Sequence, residues 1–168
     1  ALAESCDVYF YDVAMKVGID KIAEMGRKLG LGERHDIPMS AITEGLMPNK
    51  AWKQERYKKE WVIGDTVNAS IGQGYVLSSP LQLAVMTARI ASGKSVSPRL
   101  IHSIGDVLTS ENPGADLGFN PQLLHAVRQG MDAVTNSQRG TAYSSRVDDK
   151  ALRMAGKTGT SQVRNISA

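Results

Sequence analysis

The 168-residue sequence contains one cysteine, Cys6, so an internal disulfide is excluded and cysteine usage does not decide between oxidising and reducing compartments. Read alone, Cys6 is a small buried apolar residue; the other reading makes it one ligand of a metal site whose remaining ligands precede Ala1. Aromatics are sparse at 5%, yet a hydrophobic share of 42% against a charged share of 22% is that of a globular chain rather than a disordered one. No apolar run approaches the roughly 18 to 20 residues that span a bilayer. The first residues, Ala1 to Cys6, have neither the basic start nor the apolar core of a signal peptide, so any anchor or export signal is expected outside this chain. Internal repeats and low-complexity tracts are absent as well, and the length suits one ordinary domain.

What is present starts with a mild basic excess, net +3 with a pI near 9.0. Much of it lies in one stretch, Lys50, Lys53, Arg56, Lys58 and Lys59, with Trp52, Tyr57 and Trp61 interleaved. Glu55 and Glu60 dilute that charge and no nucleic-acid module surrounds it, so no nucleic-acid partner is expected. The stretch reads as a solvated loop pinned to the body by its aromatics. His35, His102 and His125 lack metal-ligand spacing and read as surface or satisfied histidines. Met15, Met25, Met131 and Met154 read as core filler, and nothing calls for a cofactor.

Apolar residues at three- and four-residue steps, Val8, Phe10, Tyr11, Ala14 and Met15, predict a helix over 7–17. Gly18 breaks it, Asp20 is placed to cap a second helix with the stripe Ile22, Met25 and Leu29, and Gly30 and Gly32 stop that one. From Glu33 to Gly64 no period holds, which predicts a long connection. Ser79, Pro80 and Gln82 form a capping box with proline at the first helical position, predicting a helix to about Ala91 with Leu81, Ala84, Val85 and Ala88 inward and Gly93 as its stop. Asn120 before Pro121 repeats the device for Leu124, Val127, Met131 and Val134. Arg146 to Lys150 reads as an exposed link.

Met154 to Val163 is rich in small residues and threonine, which predicts a strand closely approached by another backbone. A single strand forms no sheet, so its partners are expected outside this chain. It contains Lys157-Thr158-Gly159-Thr160, while the opening helix contains Ser5-Cys6-Asp7. Each triplet alone is weak; their order and separation are informative. Between them stand Gly64-Asp65-Thr66-Val67-Asn68, Gly72-Gln73-Gly74-Tyr75, Ser79 to Ala84 and Gly140-Thr141-Ala142. Together these residues resemble the landmarks of class B, monofunctional penicillin-binding protein transpeptidase domains, over essentially the whole chain. Asp7 in place of the commoner Asn, Gly18-Ile19-Asp20, and Gly45-Leu46-Met47-Pro48 followed by Trp52-Lys53 resemble the penicillin-binding protein 2 branch, which serves cell elongation.

The resemblance implies an α/β (α+β) fold shared with serine β-lactamases, of which residues 1–168 would be the mainly helical lobe plus the Lys-Thr-Gly strand of an antiparallel sheet. It implies catalytic roles for Ser5, Asp7, Lys157 and Thr160, and substrate binding by Thr158, Gly159 and Thr160, the two threonine hydroxyls donating to the substrate carboxylate and Gly159 leaving room for a ligand backbone. Chemically, the Ser5 hydroxyl can pass a proton to a leaving amine, and Asp7 would hold that network. Lys157 would be a fixed cation beside Ser5, the two groups facing one cleft within about one hydrogen bond or bridging water of each other. The Thr160 N–H would form half of an oxyanion hole. Taken without the resemblance, Ser5 and Asp7 read as caps of the first helix, and Lys157 as a surface lysine.

No Ser-x-x-Lys occurs in the sequence; Ser92-Gly93-Lys94 is one residue too short. The nucleophile segment is therefore expected upstream of Ala1, and the last strands and C-terminal helix beyond Ala168. The resemblance implies a penicillin-sensitive D,D-transpeptidase that cross-links peptidoglycan stem peptides through an acyl-serine. It would sit at the periplasmic face of the inner membrane, with a lipid-linked glycan polymerase, rod-shape scaffold proteins and the remaining segments of its own chain as partners. The rival readings are a β-lactamase or β-lactam sensor of the same fold, revealed by fast acyl-enzyme hydrolysis, and a non-catalytic peptidoglycan-binding scaffold module.

Overall fold

A backbone φ of +83° at Gly18 separates two consecutive helices, α1 (Asp7–Val17) and α2 (Ile19–Lys28), as the apolar periodicity predicts. The computed structural model describes residues 1–109 and 113–161, so the predicted segment reaching Val163 lies partly outside the described residues. It divides into two compact units, one running from Asp7 to Leu124 and the other combining Ala1–Cys6 with the chain from His125 onward.

In the first unit α1 and α2 pack with α4 (Ile63–Ser70). The buried face of α2 is Ile19, Ala23 and Gly26, not Ile22, Met25 and Leu29. Met47 lies over Gly26, where an added Cβ would stand 2.9 Å from its Sδ, so the small residue is what lets the connection close onto the helix. Met15 and Met25 stand one residue, about 100°, round from the buried Ala14 and Gly26 and are exposed. Met154 is exposed too and Met131 only half-buried, so none of the four methionines is core; Met47 is. Asp20 is not a cap: Gly18 holds that position without a side-chain bond, and Asp20, one residue inside α2, accepts from the Lys50 N–H at 3.3 Å.

The long connection contains a helix that its sequence conceals, α3 (Lys50–Tyr57), started by Asn49, whose side chain accepts from the Trp52 N–H at 2.8 Å. The basic stretch is therefore helical from Lys50 to Tyr57 rather than a loop throughout, with Lys58 and Lys59 beyond its end. Its inward residue is Lys53, buried and ion-paired with Asp65, and Asp65 also accepts from the Val62 N–H at 2.9 Å to cap α4. Trp52, Tyr57, Trp61 and Tyr75 surround this pair, with Lys53 Nζ 5.8 Å from the Tyr75 ring centre.

Helix α5 (Pro80–Ser92) has the predicted capping box, Ser79 N–H to Gln82 Oε1 at 2.9 Å and Gln82 N–H to Ser79 Oγ at 3.3 Å, and ends at Gly93 with φ +74°. Its buried residues are Gln82, Val85 and Arg89, whereas Ala84 and Ala88 are exposed. The polar pair faces inward because the segments it meets, the long connection for Gln82 and Lys28 and Val96 for Arg89, present backbone carbonyls to it. Gln82 Nε2 donates to Glu33 O at 2.9 Å and Glu44 O at 2.7 Å; Arg89 donates to Lys28 O at 2.9 Å and Val96 O at 3.2 Å. Gly45 passes so close that a Cβ would lie 2.3 Å from Leu77 O, and its φ is +60°, so glycine is required there twice over. His35 is buried with no hydrogen-bond partner for Nε2, neither a surface nor a satisfied histidine, because it faces the Gly30 and Arg89 side of this packing. A short exposed hairpin, β1 (Ser103–Ile104) with β2 (Val107–Leu108), pairs antiparallel.

Helix α6 (Pro121–Asn136) starts as predicted, with Asn120 Oδ1 accepting from the Gln122 N–H at 2.9 Å. In the second unit its end buries Val134 and Thr135, and the chain then doubles back through Gly140, where a Cβ would lie 2.2 Å from Val134 O. Two 3-10 turns, Tyr143–Ser145 and Lys150–Leu152, bracket the exposed link. Residues 154–161 carry no regular secondary structure, since none of the described residues offers them a strand ladder. The Gly156 N–H donates to Met131 O at 3.1 Å, and the Cβ side of Gly156 and Gly159 is open. Among the described residues no helix is long and apolar enough to cross a membrane.

Candidate functional site

Ser5 adopts φ +50°, a left-handed backbone that costs an L-residue on the order of 1 kcal/mol and persists only where the surroundings hold it. Three contacts of the second unit do so. Leu2 packs over Gly130 of α6, the Thr141 N–H donates to Ala3 O at 3.1 Å, and Arg139 pairs with Glu4 at 2.7 Å. The Cys6 N–H closes the turn onto Ala1 O at 3.1 Å. Cys6 itself is exposed, contrary to the buried reading, because this tight turn projects it outward.

The segment bearing Lys157 is fastened to the same helix end. Arg153 grips both carboxylate oxygens of Asp132, with Nε 2.7 Å from Oδ1. Asn136 Nδ2 donates to Asp132 Oδ1 at 2.9 Å and to Met154 O at 2.8 Å. The Arg153 guanidinium holds the Asp132 carboxyl below the ordinary carboxylate range, against a smaller opposing push from desolvation.

These attachments bring Lys157 Nζ into hydrogen-bond contact with Ser5 Oγ, across 152 positions of sequence. The ammonium also donates to Thr158 O at 2.9 Å, and the hydroxyls of Thr158 and Thr141 lie 2.7 Å apart. One cation and three hydroxyls thus converge on one open surface. Such a set can bind a carboxylate and can pass a proton between a hydroxyl and an attached amine. Gly159 and Thr160 follow Thr158 on the same exposed segment. Asp7 stands elsewhere in the division of the chain, as the exposed first residue of α1 in the other unit, where a carboxylate suits the helix dipole. Thr141 was visible in the sequence only as part of Gly140-Thr141-Ala142, and no sequence signal pointed to Asp132, Asn136 or Arg153. Among the described residues no group of three or more His, Cys, Asp or Glu is placed to hold a metal ion.

Residues 1–166 match the family model described as penicillin binding protein transpeptidase domain. Peptidoglycan D,D-transpeptidase MrdA of Haemophilus influenzae is 39% identical over 99% of this chain and 26% of its own length. Penicillin-binding protein 2 of Pseudomonas aeruginosa superposes with a TM-score of 0.86 at 36% identity, over 97% of this chain and 38% of that one. The Helicobacter pylori penicillin-binding protein 2 solved in complex with MreC gives 0.80 at 36% identity, over 97% and 30%. The chain therefore spans between about a quarter and two fifths of the relatives it matches.

Proposed function

Since the chain belongs to the penicillin-binding protein transpeptidase domain family, we propose that it is the later part of a peptidoglycan D,D-transpeptidase of the penicillin-binding protein 2 kind, which cross-links stem peptides during cell elongation. The observation that carries this reading is the contact between Lys157 Nζ and Ser5 Oγ, two groups that the family motifs require together.

In this reading a serine of a Ser-x-x-Lys segment outside residues 1–168 attacks the carbonyl of the penultimate D-alanine. Its hydroxyl proton passes through the Lys157–Ser5 pair to the departing nitrogen, so the terminal D-alanine leaves as a neutral amine and an acyl-serine remains. The acceptor amine of a second stem peptide then attacks that ester, forms the cross-link and returns the serine. Lys157, Thr158 and Thr141 hold the terminal carboxylate, and the Thr160 N–H supplies half of the oxyanion hole, with the nucleophile's own N–H as the other half. The open Cβ side of Gly159 leaves room for a peptide backbone alongside the segment. The role of Asp7, steadying Ser5, follows the Ser-x-Asp pattern. A β-lactam acylates the same serine but its ring nitrogen stays tethered, so no leaving group vacates the site.

The solved complex of a related penicillin-binding protein 2 with MreC supports a rod-shape scaffold partner for this protein. A lipid-linked glycan polymerase, and a place at the periplasmic face of the inner membrane with the anchor outside this chain, complete the proposal. The test is to label the full-length protein with a fluorescent penicillin and map the modified peptide. The expected adduct is on a serine outside residues 1–168; absence of any covalent adduct, an adduct on a serine within this chain, or rapid multiple-turnover hydrolysis of the penicillin would overturn the reading.

A further inference from the structure

We infer that the end of α3, Arg56-Tyr57-Lys58-Lys59, is a binding surface for peptidoglycan strands, the Tyr57 ring stacking on a sugar while the flanking cations meet carboxylates of the stem peptides. The inference rests on the transpeptidase reading above, which makes such strands the substrate, and it assigns them a contact made by residues other than those around Ser5 and Lys157.

The aromatic residues interleaved with the basic stretch form one cluster with Tyr75. Trp52 meets Tyr57 edge-on with 5.7 Å between ring centres and Tyr75 with 5.2 Å, and Tyr57 lies tilted by 32° against Tyr75 at 5.5 Å. Packing accounts for Trp52, Trp61 and Tyr75, each half-buried, and for Lys53, which is buried and paired with Asp65. It does not account for Tyr57, which is 47% exposed although two neighbouring rings hold it in place. A flat ring fixed before its ligand arrives loses little freedom on binding, and the C–H face of a sugar packs against it as any apolar surface would.

Lys58 points the same way independently. It stands beyond the last residue of α3 with φ +55° and ψ 32°, a left-handed cap that glycine adopts freely and lysine only at a cost. Among the described residues Ser5 is the other non-glycine residue with positive φ, and it belongs to the candidate site. A cation does suit a helix C-terminus, but Arg56 already supplies one in the last turn, so the dipole does not explain why the strained position carries lysine. Lys50 is engaged by Asp20 at 3.7 Å, whereas Arg56, Lys58 and Lys59 are exposed and have no acidic partner among the described residues. Glu55 and Glu60 are exposed among them. Three free cations diluted by two carboxylates match charges spaced along a largely neutral polymer, as stem-peptide carboxylates are along a glycan, rather than a continuous phosphate backbone.

The test uses the full-length protein with its nucleophile first blocked by penicillin. It measures the binding of fluorescently labelled, uncross-linked glycan strands bearing tetrapeptide stems. Lys58→Gly, which removes the cation and suits the left-handed backbone, is expected to weaken binding about threefold, the scale of an exposed charge pair. Its melting temperature should equal or exceed that of wild type. Tyr57→Leu, which keeps apolar bulk and loses the flat ring, should weaken binding about fivefold, the scale of one aromatic contact. Strand binding at wild-type strength in Lys58→Gly would overturn the inference, as would a folded Tyr57→Leu protein that binds like wild type. Should Tyr57→Leu melt more than a few degrees early, Lys58→Gly decides alone. A wild-type protein that holds a single-stranded oligonucleotide as tightly as the strands would also overturn the inference, since such a surface reads charge alone. Failure of the underlying transpeptidase reading is seen separately, as a wild-type protein that takes no penicillin.

Discussion

Gln82 is fully buried on α5, and replacing it with leucine is expected to destabilise the helical unit even though the volume is nearly conserved. The side chain satisfies three backbone groups, the Ser79 N–H and the carbonyls of Glu33 and Glu44. Leaving a buried polar group without a partner costs about 1–3 kcal/mol. Ser79 is half-buried and Glu33 and Glu44 are exposed, so water can partly replace the lost bonds and the low end applies to each. The sum is about 3 kcal/mol, one low-end penalty of about 1 kcal/mol for each of three groups. Gln82→Glu should cost at least as much, because it turns an acceptor towards two carbonyls. The assay is a urea titration of the full-length protein, followed by tryptophan fluorescence, since Trp52 and Trp61 lie in the same unit. A loss below about 1 kcal/mol for Gln82→Leu would refute the argument, and would restore the apolar face Leu81, Ala84, Val85 and Ala88 as the one that decides how α5 packs.

Lys53→Met should cost about 3 kcal/mol, since it strands the Asp65 carboxylate in a buried setting, and Lys53→Met with Asp65→Asn should recover part of that because asparagine can still accept from the Val62 N–H; equal stability of single and double variants contradicts this. The Asp132 carboxyl is depressed in the native state, so its contribution to stability is present above the unfolded value near 3.9 and is lost as pH falls through the native one. The difference in unfolding midpoint between wild type and Asp132→Asn should then be constant from about pH 5 to 8 and shrink only below about pH 4; a change centred near neutrality would contradict the assignment. Ser5→Ala should lower penicillin acylation by about 10²–10⁴-fold, the range of a general acid–base group, with little change in the melting temperature.

The helices whose starts are written in local chemistry were legible: Ser79-Pro80 with Gln82 for α5, and Asn120-Pro121 for α6, each needing only a cap and a proline. Helix α3 was not, because Lys50 to Tyr57 has no apolar stripe and its buried residue is a lysine whose partner, Asp65, lies 12 positions away. The inward face of α5 misled for the same reason. Periodicity counts apolar residues, while Gln82 turns inward to carbonyls of a connection whose path the sequence does not disclose, and Arg89 to those of Lys28 and Val96. Of the groups that converge, Ser5, Lys157 and Thr158 were legible as parts of motifs, but their frame was not. Asp132, Asn136 and Arg153 carry no motif; their relation exists only once α6 and the Lys157 segment lie side by side. The strand expected around Lys157 is a property of pairing, and no described residue supplies a ladder for it.

The most direct test of the account is the rate at which a fluorescent penicillin acylates the full-length protein carrying Lys157→Ala. Lys157 is exposed at the surface where Ser5 and Thr158 converge, so the fold should survive and the melting temperature should hardly move. The account predicts a fall of about 10²–10³-fold in the acylation rate, the scale of removing one preorganised electrostatic group. A correctly folded Lys157→Ala protein that is acylated as fast as wild type would remove Lys157 from the chemistry, and with it the site assembled around Ser5.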